Sequence, residues 1–178
     1  FPLQCVGCDA EGVVLCDSCR LKIFYELVLK CSVCGKINFE GYACEVCSSA
    51  TNLDSVFACF AYNQPIIAKL IKAWKYEGIR EASIEIEKLL NETSVRHEWI
   101  KKWSEGAIIV PVPLHNRRLC ERGFNQALEL AQIWSKILKA PVVDCLKRTL
   151  YTDAQAKQTG FVRRTLDKNI FVMKQDCI

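Results

Sequence analysis

Residues 108–139 read IIVPVPLHNRRLCERGFNQALELAQIWSKILK, and the change of pattern along them decides the fold class. Ile108 to Val112 is a short, nearly all-apolar run bounded by Gly106 and Pro113, which predicts a strand buried on both faces of a parallel sheet. A polar loop over 114–126 follows, and an amphipathic helix continues to about Lys139. In open α/β sheets ligands bind beyond the carboxyl ends of strands, so this loop is where chemistry is expected. Arg117, Arg118 and Arg122 precede or open the helix. Guanidinium forks, free backbone N–H groups and the positive end of a helix dipole together make a phosphate site; an exposed basic loop is the alternative. His115 has no evident nucleophile or base partner in the sequence.

Further along the chain, Pro141 to Leu146 reads as another short strand. The polar stretch from Arg148 to Arg164 lacks periodicity and reads as a loop long enough to be a lid. Towards the N-terminus, Ser55 to Tyr62 reads as an aromatic-rich strand. Pro65 then opens a helix that Asn63 can cap, with Ile66, Ile67, Leu70, Ile71 and Trp74 on one face. Lys69, Lys72 and Lys75 occupy the other side as a solvated basic face, and Gly78 is a stop signal. Residues 81–103 carry one or two further helices with a break near Asn91. Ser48 to Asn52 is a small polar linker, which divides the chain into 1–50 and 51–178.

Residues 1–50 obey a different logic. Eight of the twelve cysteines stand as four C-x-x-C pairs: Cys5 and Cys8, Cys16 and Cys19, Cys31 and Cys34, Cys44 and Cys47. Two intervening residues let both thiolates reach one tetrahedral ion at about 2.3 Å, and Gly7 and Gly35 supply the freedom such turns need. Eight thiolates imply two closed Zn2+ sites with a structural role, each contributing on the order of 10–16 kcal/mol. Sequential pairing of the knuckles closes loops of 7 and 9 residues and is favoured over a cross-brace. Redox dithiols, an iron–sulfur site or a single zinc are the alternatives. Between the two sites, Leu21, Phe24, Leu27 and Val28 at helical spacing predict a helix over 20–30. Cys59, Cys120, Cys145 and Cys177 fall outside the pattern and carry no assigned role.

The composition is that of an ordinary globular protein, with 51% hydrophobic and 25% charged residues. No apolar run approaches the roughly 18 residues of a membrane-spanning helix, and repeated C-x-x-C spacing without a disulfide framework points to the cytoplasm. Residues 111–178 hold 12 basic and 6 acidic side chains, a net +6 that points to an anionic ligand. The chain opens on Phe1 and stops at Ile178, and reads as a fragment.

The segment VPVPLHNRRLCERGFNQALELA, residues 110–131, resembles the hallmark of the ComF family, bacterial competence-associated proteins with a phosphoribosyltransferase-like fold. The cysteine knuckles, the step Lys75-Tyr76-x-Gly78 and the stretch QTGFVRRTLDKNIF from Gln158 to Phe171 fit the same family, although the family usually has leucine where Phe161 stands. The resemblance implies a double zinc-ribbon module over 1–50 and a type I phosphoribosyltransferase-like α/β domain with a mainly parallel sheet over 51–178. It also implies a phosphoribosyl pyrophosphate (PRPP) ligand, bridged by Mg2+, with Lys75, Arg117, Arg118, Arg122 and Gly123 on its pyrophosphate side. The family's PRPP loop would come after Ile178, so this chain is expected to bind PRPP weakly and, lacking core strands, to aggregate or stay partly molten. The resemblance implies one of two functions. One is a phosphoribosyltransferase of unknown acceptor associated with DNA uptake and natural transformation. The other is a non-enzymatic adaptor that grips single-stranded DNA or docks a helicase or channel protein.

Overall fold

A computed structural model describes residues 2–37, 41–151 and 170–175. The chain divides into two compact units, Phe1–His97 and Glu98–Ile178. This division differs from the compositional boundary at residue 50, because the cysteine-rich segment is tied to a strand and a helix on the far side of that boundary. In the first unit, helix α1 (Asp17–Arg20) is followed by strand β1 (Val28–Leu29), a 3-10 turn at Ser48–Ala50, strand β2 (Phe57–Ala58), and helices α2 (Pro65–Tyr76) and α3 (Glu81–Arg96). Strands β1 and β2 pair antiparallel, Val28 opposite Ala58 and Leu29 opposite Phe57, so a strand between the metal-ligand pairs is joined to one beyond the linker.

Helices α2 and α3 pack on one another. Ile67, Leu70, Ala73 and Trp74 are buried on α2, and Ala82, Ile86, Leu89 and Leu90 on α3. The spacing repeats at three and four residues, the single-stripe pattern of a helix with one face on a core. Full burial of a leucine such as Leu70 or Leu89 is worth about 1.5–3 kcal/mol. Pro65 stands in the first turn of α2 as expected, but the N-cap is Gln64, and it makes no side-chain cap bond. The Gln64 amide instead accepts from the N–H of Phe24 at 2.9 Å and donates to its carbonyl at 3.0 Å. Asn91 does not break α3; its Nδ2 donates to the Glu87 carbonyl at 2.9 Å within the helix, and the interruption falls at His97 and Glu98.

The helix expected over 20–30 is absent. Helix α1 stops at Arg20, and the chain turns and extends into β1. Leu21 and Phe24, which supplied the helical spacing, are 87% and 71% exposed, so there is no core stripe to favour a helix.

The second unit contains helices α4 (Trp99–Trp103), α5 (Asn116–Arg122) and α6 (Gln126–Leu138), and strands β3 (Leu146–Arg148) and β4 (Phe171–Met173). The runs read as strands at 108–112 and 141–146 meet at one parallel bridge, between Ile109 and Val142. There Ile109 N–H donates to the Pro141 carbonyl at 2.8 Å, and Val143 N–H donates to Ile109 at 2.9 Å. Helices α5 and α6 lie between them in the chain, in a strand–helix–strand order. The pairing goes no further among the described residues. Pro111 and Pro113 lack the N–H a ladder requires, and Ile108 and Val112 are 58% and 56% exposed, contrary to a strand buried on both faces. Strands β3 and β4 pair antiparallel, with Arg148 opposite Phe171. The described elements are therefore mixed helices and small sheets, and a phosphoribosyltransferase-like parallel sheet is not shown. Most of the lid expected over 148–164, and residues 158–169 of the QTGFVRRTLDKNIF stretch, lie outside the described residues.

Candidate metal centres and a basic cluster

The first knuckle of each cysteine site is the same turn. Cys5 N–H donates to the Ala10 carbonyl at 2.8 Å and Cys31 N–H to Lys36 at 2.9 Å; Asp9 N–H returns to Cys5 and Gly35 N–H to Cys31. Asp9 and Gly35, each four residues after its cysteine, are left-handed at φ 64° and 73°. Aspartate and glycine are residue types that tolerate this conformation. Bridges Gln4 to Glu11 and Lys30 to Ile37 close the two turns alike. The second knuckles match too, Arg20 N–H donating to Cys16 and Ser48 N–H to Cys44, both at 2.9 Å. Residues 4–11 and 16–20 thus match residues 30–37 and 44–48 as the same two turns built twice.

Each motif gathers its own four sulfurs. Cys5, Cys8, Cys16 and Cys19 form one group and Cys31, Cys34, Cys44 and Cys47 the other, with the sulfurs of each group within 4.8 Å of one another. This is the sequential pairing. Four sulfurs set tetrahedrally at about 2.3 Å from one ion lie about 3.8 Å apart; Cys8 and Cys16 are separated by 3.6 Å and Cys34 and Cys44 by 3.8 Å. The donor set fits a structural metal ion in each group, with every tetrahedral position filled by a protein thiolate. Gly7 stands beside the first site because a Cβ there would lie 2.5 Å from Cys19 Sγ.

The electrostatics of the thiols show why a cation belongs there. At Cys5 burial raises the pKa, but the amides of Cys16, Gly7 and Cys8 outweigh it and bring the thiol down to about 6. At Cys31 the amides of Cys34, Cys44 and Val33 also bring it down to about 6. Burial and the neighbouring sulfurs push Cys19 up to about 12, and the Cys44 thiol and burial push Cys47 to about 12. Backbone amides therefore support one thiolate in each group, while the last thiol resists joining other negative charges. A divalent ion at the centre would remove that opposition.

The segment between the two sites is pinned to α3 by polar residues. Arg20 bonds Glu85 and reaches Glu92 at 3.5 Å. The Tyr25 hydroxyl donates to Glu92, the Arg96 guanidinium lies 4.5 Å above the Tyr25 ring, and a His97 ring nitrogen meets the Tyr25 carbonyl at 2.8 Å. These anchors are not legible in the sequence, because residues 20–25 and 85–97 are far apart in the chain and carry no shared motif.

In the second unit the basic loop is helix α5. His115 caps it, its Nδ1 accepting from Arg117 N–H at 3.3 Å, a structural role that accounts for this histidine. The guanidinium groups of Arg117 and Arg118 lie 4.7 and 5.5 Å from the centre of the Tyr151 ring, and Arg117 also pairs with Glu121 at 3.4 Å. Arg122 Nη1 donates to Gln126 Oε1 at 3.1 Å. Gly123 ends α5 at φ 78°, where any side chain would be strained. Asn125 caps α6 through Ala127 N–H and donates to the Val112 carbonyl at 3.4 Å, tying the helix start to the strand-like run before α5. A cavity of about 390 Å³ opens here, its lining including Pro113, Asn116, Asn125 and Arg148. Lys75 sits in the last turn of α2 and belongs to the first unit, whereas the three arginines and Gly123 belong to the second. Among the described residues no helix is long and apolar enough to cross a membrane. Comparison with family models, curated proteins and solved structures finds no match to this chain.

Proposed function

We propose that residues 1–50 are a structural double zinc module and that the chain is a PRPP-binding protein of ComF type. The zinc reading is carried by the two sets of four sulfurs at the mutual distances one tetrahedral ion requires. Zinc held there would cross-link the chain and neutralise thiolate charge; with four protein ligands it has no position for substrate. The PRPP reading is supported by the motif of residues 110–131, whose arginines lie on α5 directly after the Ile109 bridge. That is where phosphate ligands sit in strand–helix–strand folds. Arg117, Arg118 and Arg122 would meet the pyrophosphate, Gly123 would let the backbone turn beside it, and Mg2+ would share its charge; Lys75 is assigned to the same ligand by the family resemblance alone.

Calorimetric titration of PRPP with Mg2+ into the protein tests this, with Lys75→Ala and Arg122→Ala as variants. Saturable binding that both changes weaken is expected, and undiminished affinity in both would overturn the site. Whether the bound PRPP is consumed is read from pyrophosphate release with candidate acceptors. The adaptor reading, contact with single-stranded DNA, draws on the Tyr151 and Phe171 rings lying beside arginines. It predicts DNA affinity that falls steeply with salt.

A further inference from the structure

Arg148 stands outside the arginine-rich motif of α5, on strand β3. Its Nε donates to the Leu150 carbonyl at 3.2 Å, and its guanidinium lies 5.6 Å from the Phe171 ring on the paired strand. Three residues further on, Tyr151 receives Arg117 and Arg118 on its ring and makes a T-shaped contact with the His115 ring at 5.4 Å. The antiparallel pair β3–β4 carries a third guanidinium beside α5, since Arg148 lines one cavity with Asn116 and Leu119 of that helix, a cavity that Glu129 and Asp144 also line. Burial and then the positive charge of Arg118 lower the pKa of Arg148. Guanidinium groups so placed can each direct charge-assisted N–H donors at one anion.

We infer that Arg148 joins Arg117 and Arg118 in one anion-binding site, that its ligand is a phosphate or diphosphate ester, and that Tyr151 is the positioning residue that holds the two helix arginines side by side. The inference rests on the phosphate reading of α5 and extends it to a residue the motif does not contain. A planar guanidinium on a paired strand offers two parallel donors in a fixed direction, which suits phosphate oxygens. The Tyr151 ring fixes the helix arginines before the ligand arrives, so less side-chain freedom is lost on binding.

The test is calorimetric titration of inorganic pyrophosphate into the full chain at two salt concentrations. Wild type is expected to bind with salt-sensitive affinity. Arg148→Gln should weaken binding at least about tenfold, the range of a charge-assisted hydrogen bond, and flatten the salt dependence. Arg148→Lys should lose several-fold in affinity while keeping the salt dependence, and it decides the matter if the glutamine variant fails a thermal melt. Tyr151→Leu should weaken binding, and Tyr151→Phe should restore it. If Arg117→Gln with Arg118→Gln abolishes binding while both Arg148 variants bind as wild type does, the inference falls and the phosphate reading of α5 stands. If the folded wild type binds no pyrophosphate, the phosphate reading itself falls.

Discussion

In the first cysteine cluster Cys19 hands the chain to Arg20, which reaches across to Glu85 and Glu92 on α3. In the second, Cys47 hands it to Ser48, whose hydroxyl turns back to the Glu45 carbonyl at 2.9 Å. The cluster is joined onward through backbone instead, with Val56 N–H on Gly41 and Ala43 N–H on Asp54. The knuckle turns are alike, so cysteine spacing and a left-handed residue four positions on suffice to make the site. What distinguishes the copies is how each is fastened to the rest of its unit, and that lies in residues outside the knuckles.

The largest expected effect comes from the feature the clusters share. Cys5→Ser and Cys31→Ser should each drop the zinc content by one ion per chain, at a cost on the order of 10 kcal/mol to the local fold. Metal analysis with circular dichroism checks this. If the copies are independent the remaining site stays filled, and loss of both ions from either variant would break the comparison. Next come two glycines. Gly7→Ala would press a Cβ to 2.5 Å from Cys19 Sγ and should weaken metal binding at the first cluster. Gly41→Ala would press one to 2.4 Å from the Val56 carbonyl at φ 72° and should loosen the second cluster's attachment. At Gly41 the left-handed conformation alone should cost about 1–2 kcal/mol, and chemical denaturation of each variant with metal bound reads the two effects.

How far the residues announced this arrangement depends on which force was in play. Covalent spacing of thiols is short-range information, and it yielded both four-cysteine groups and their sequential pairing. Helix α2 and most of α6 were legible for a similar reason, since their apolar stripes match buried faces. Residues 20–30 misled because periodicity reports a helix only when a core covers its stripe. Here the segment is held at both ends by cysteine turns, and Tyr25 and Arg20 make its contacts. The run 108–112 misled because hydrophobicity says nothing of how many partner strands are present. Arg148 and Tyr151 were not legible as neighbours of α5 because tertiary packing, and no sequence motif, brings them there.

Smaller effects are expected where the clusters are fastened. Arg20→Gln removes a partly buried charge that answers two carboxylates on α3 and should cost about 1–3 kcal/mol. Wild type should release its first-cluster metal to a chelator more slowly than the second, and this change should narrow the gap. Equal release rates in wild type would contradict the difference drawn between the clusters. Burial, with the Glu92 carboxylate, pushes the Tyr25 phenol up to about 12. A phenol whose pKa is raised on folding contributes stability that is fully present below the unfolded value near 10 and is lost as pH rises towards 12. Denaturation midpoints should therefore fall more steeply with pH over that window in wild type than in Tyr25→Phe.

The central claim is that two four-thiolate metal sites organise residues 1–50, and metal content measured alongside folding tests it most directly. The account predicts two zinc ions per folded chain, both removed by a strong chelator together with the ordered structure of the module, and both restored with refolding. A chain purified under reducing conditions that holds no zinc, or that keeps the same module structure after complete removal of metal, would contradict it.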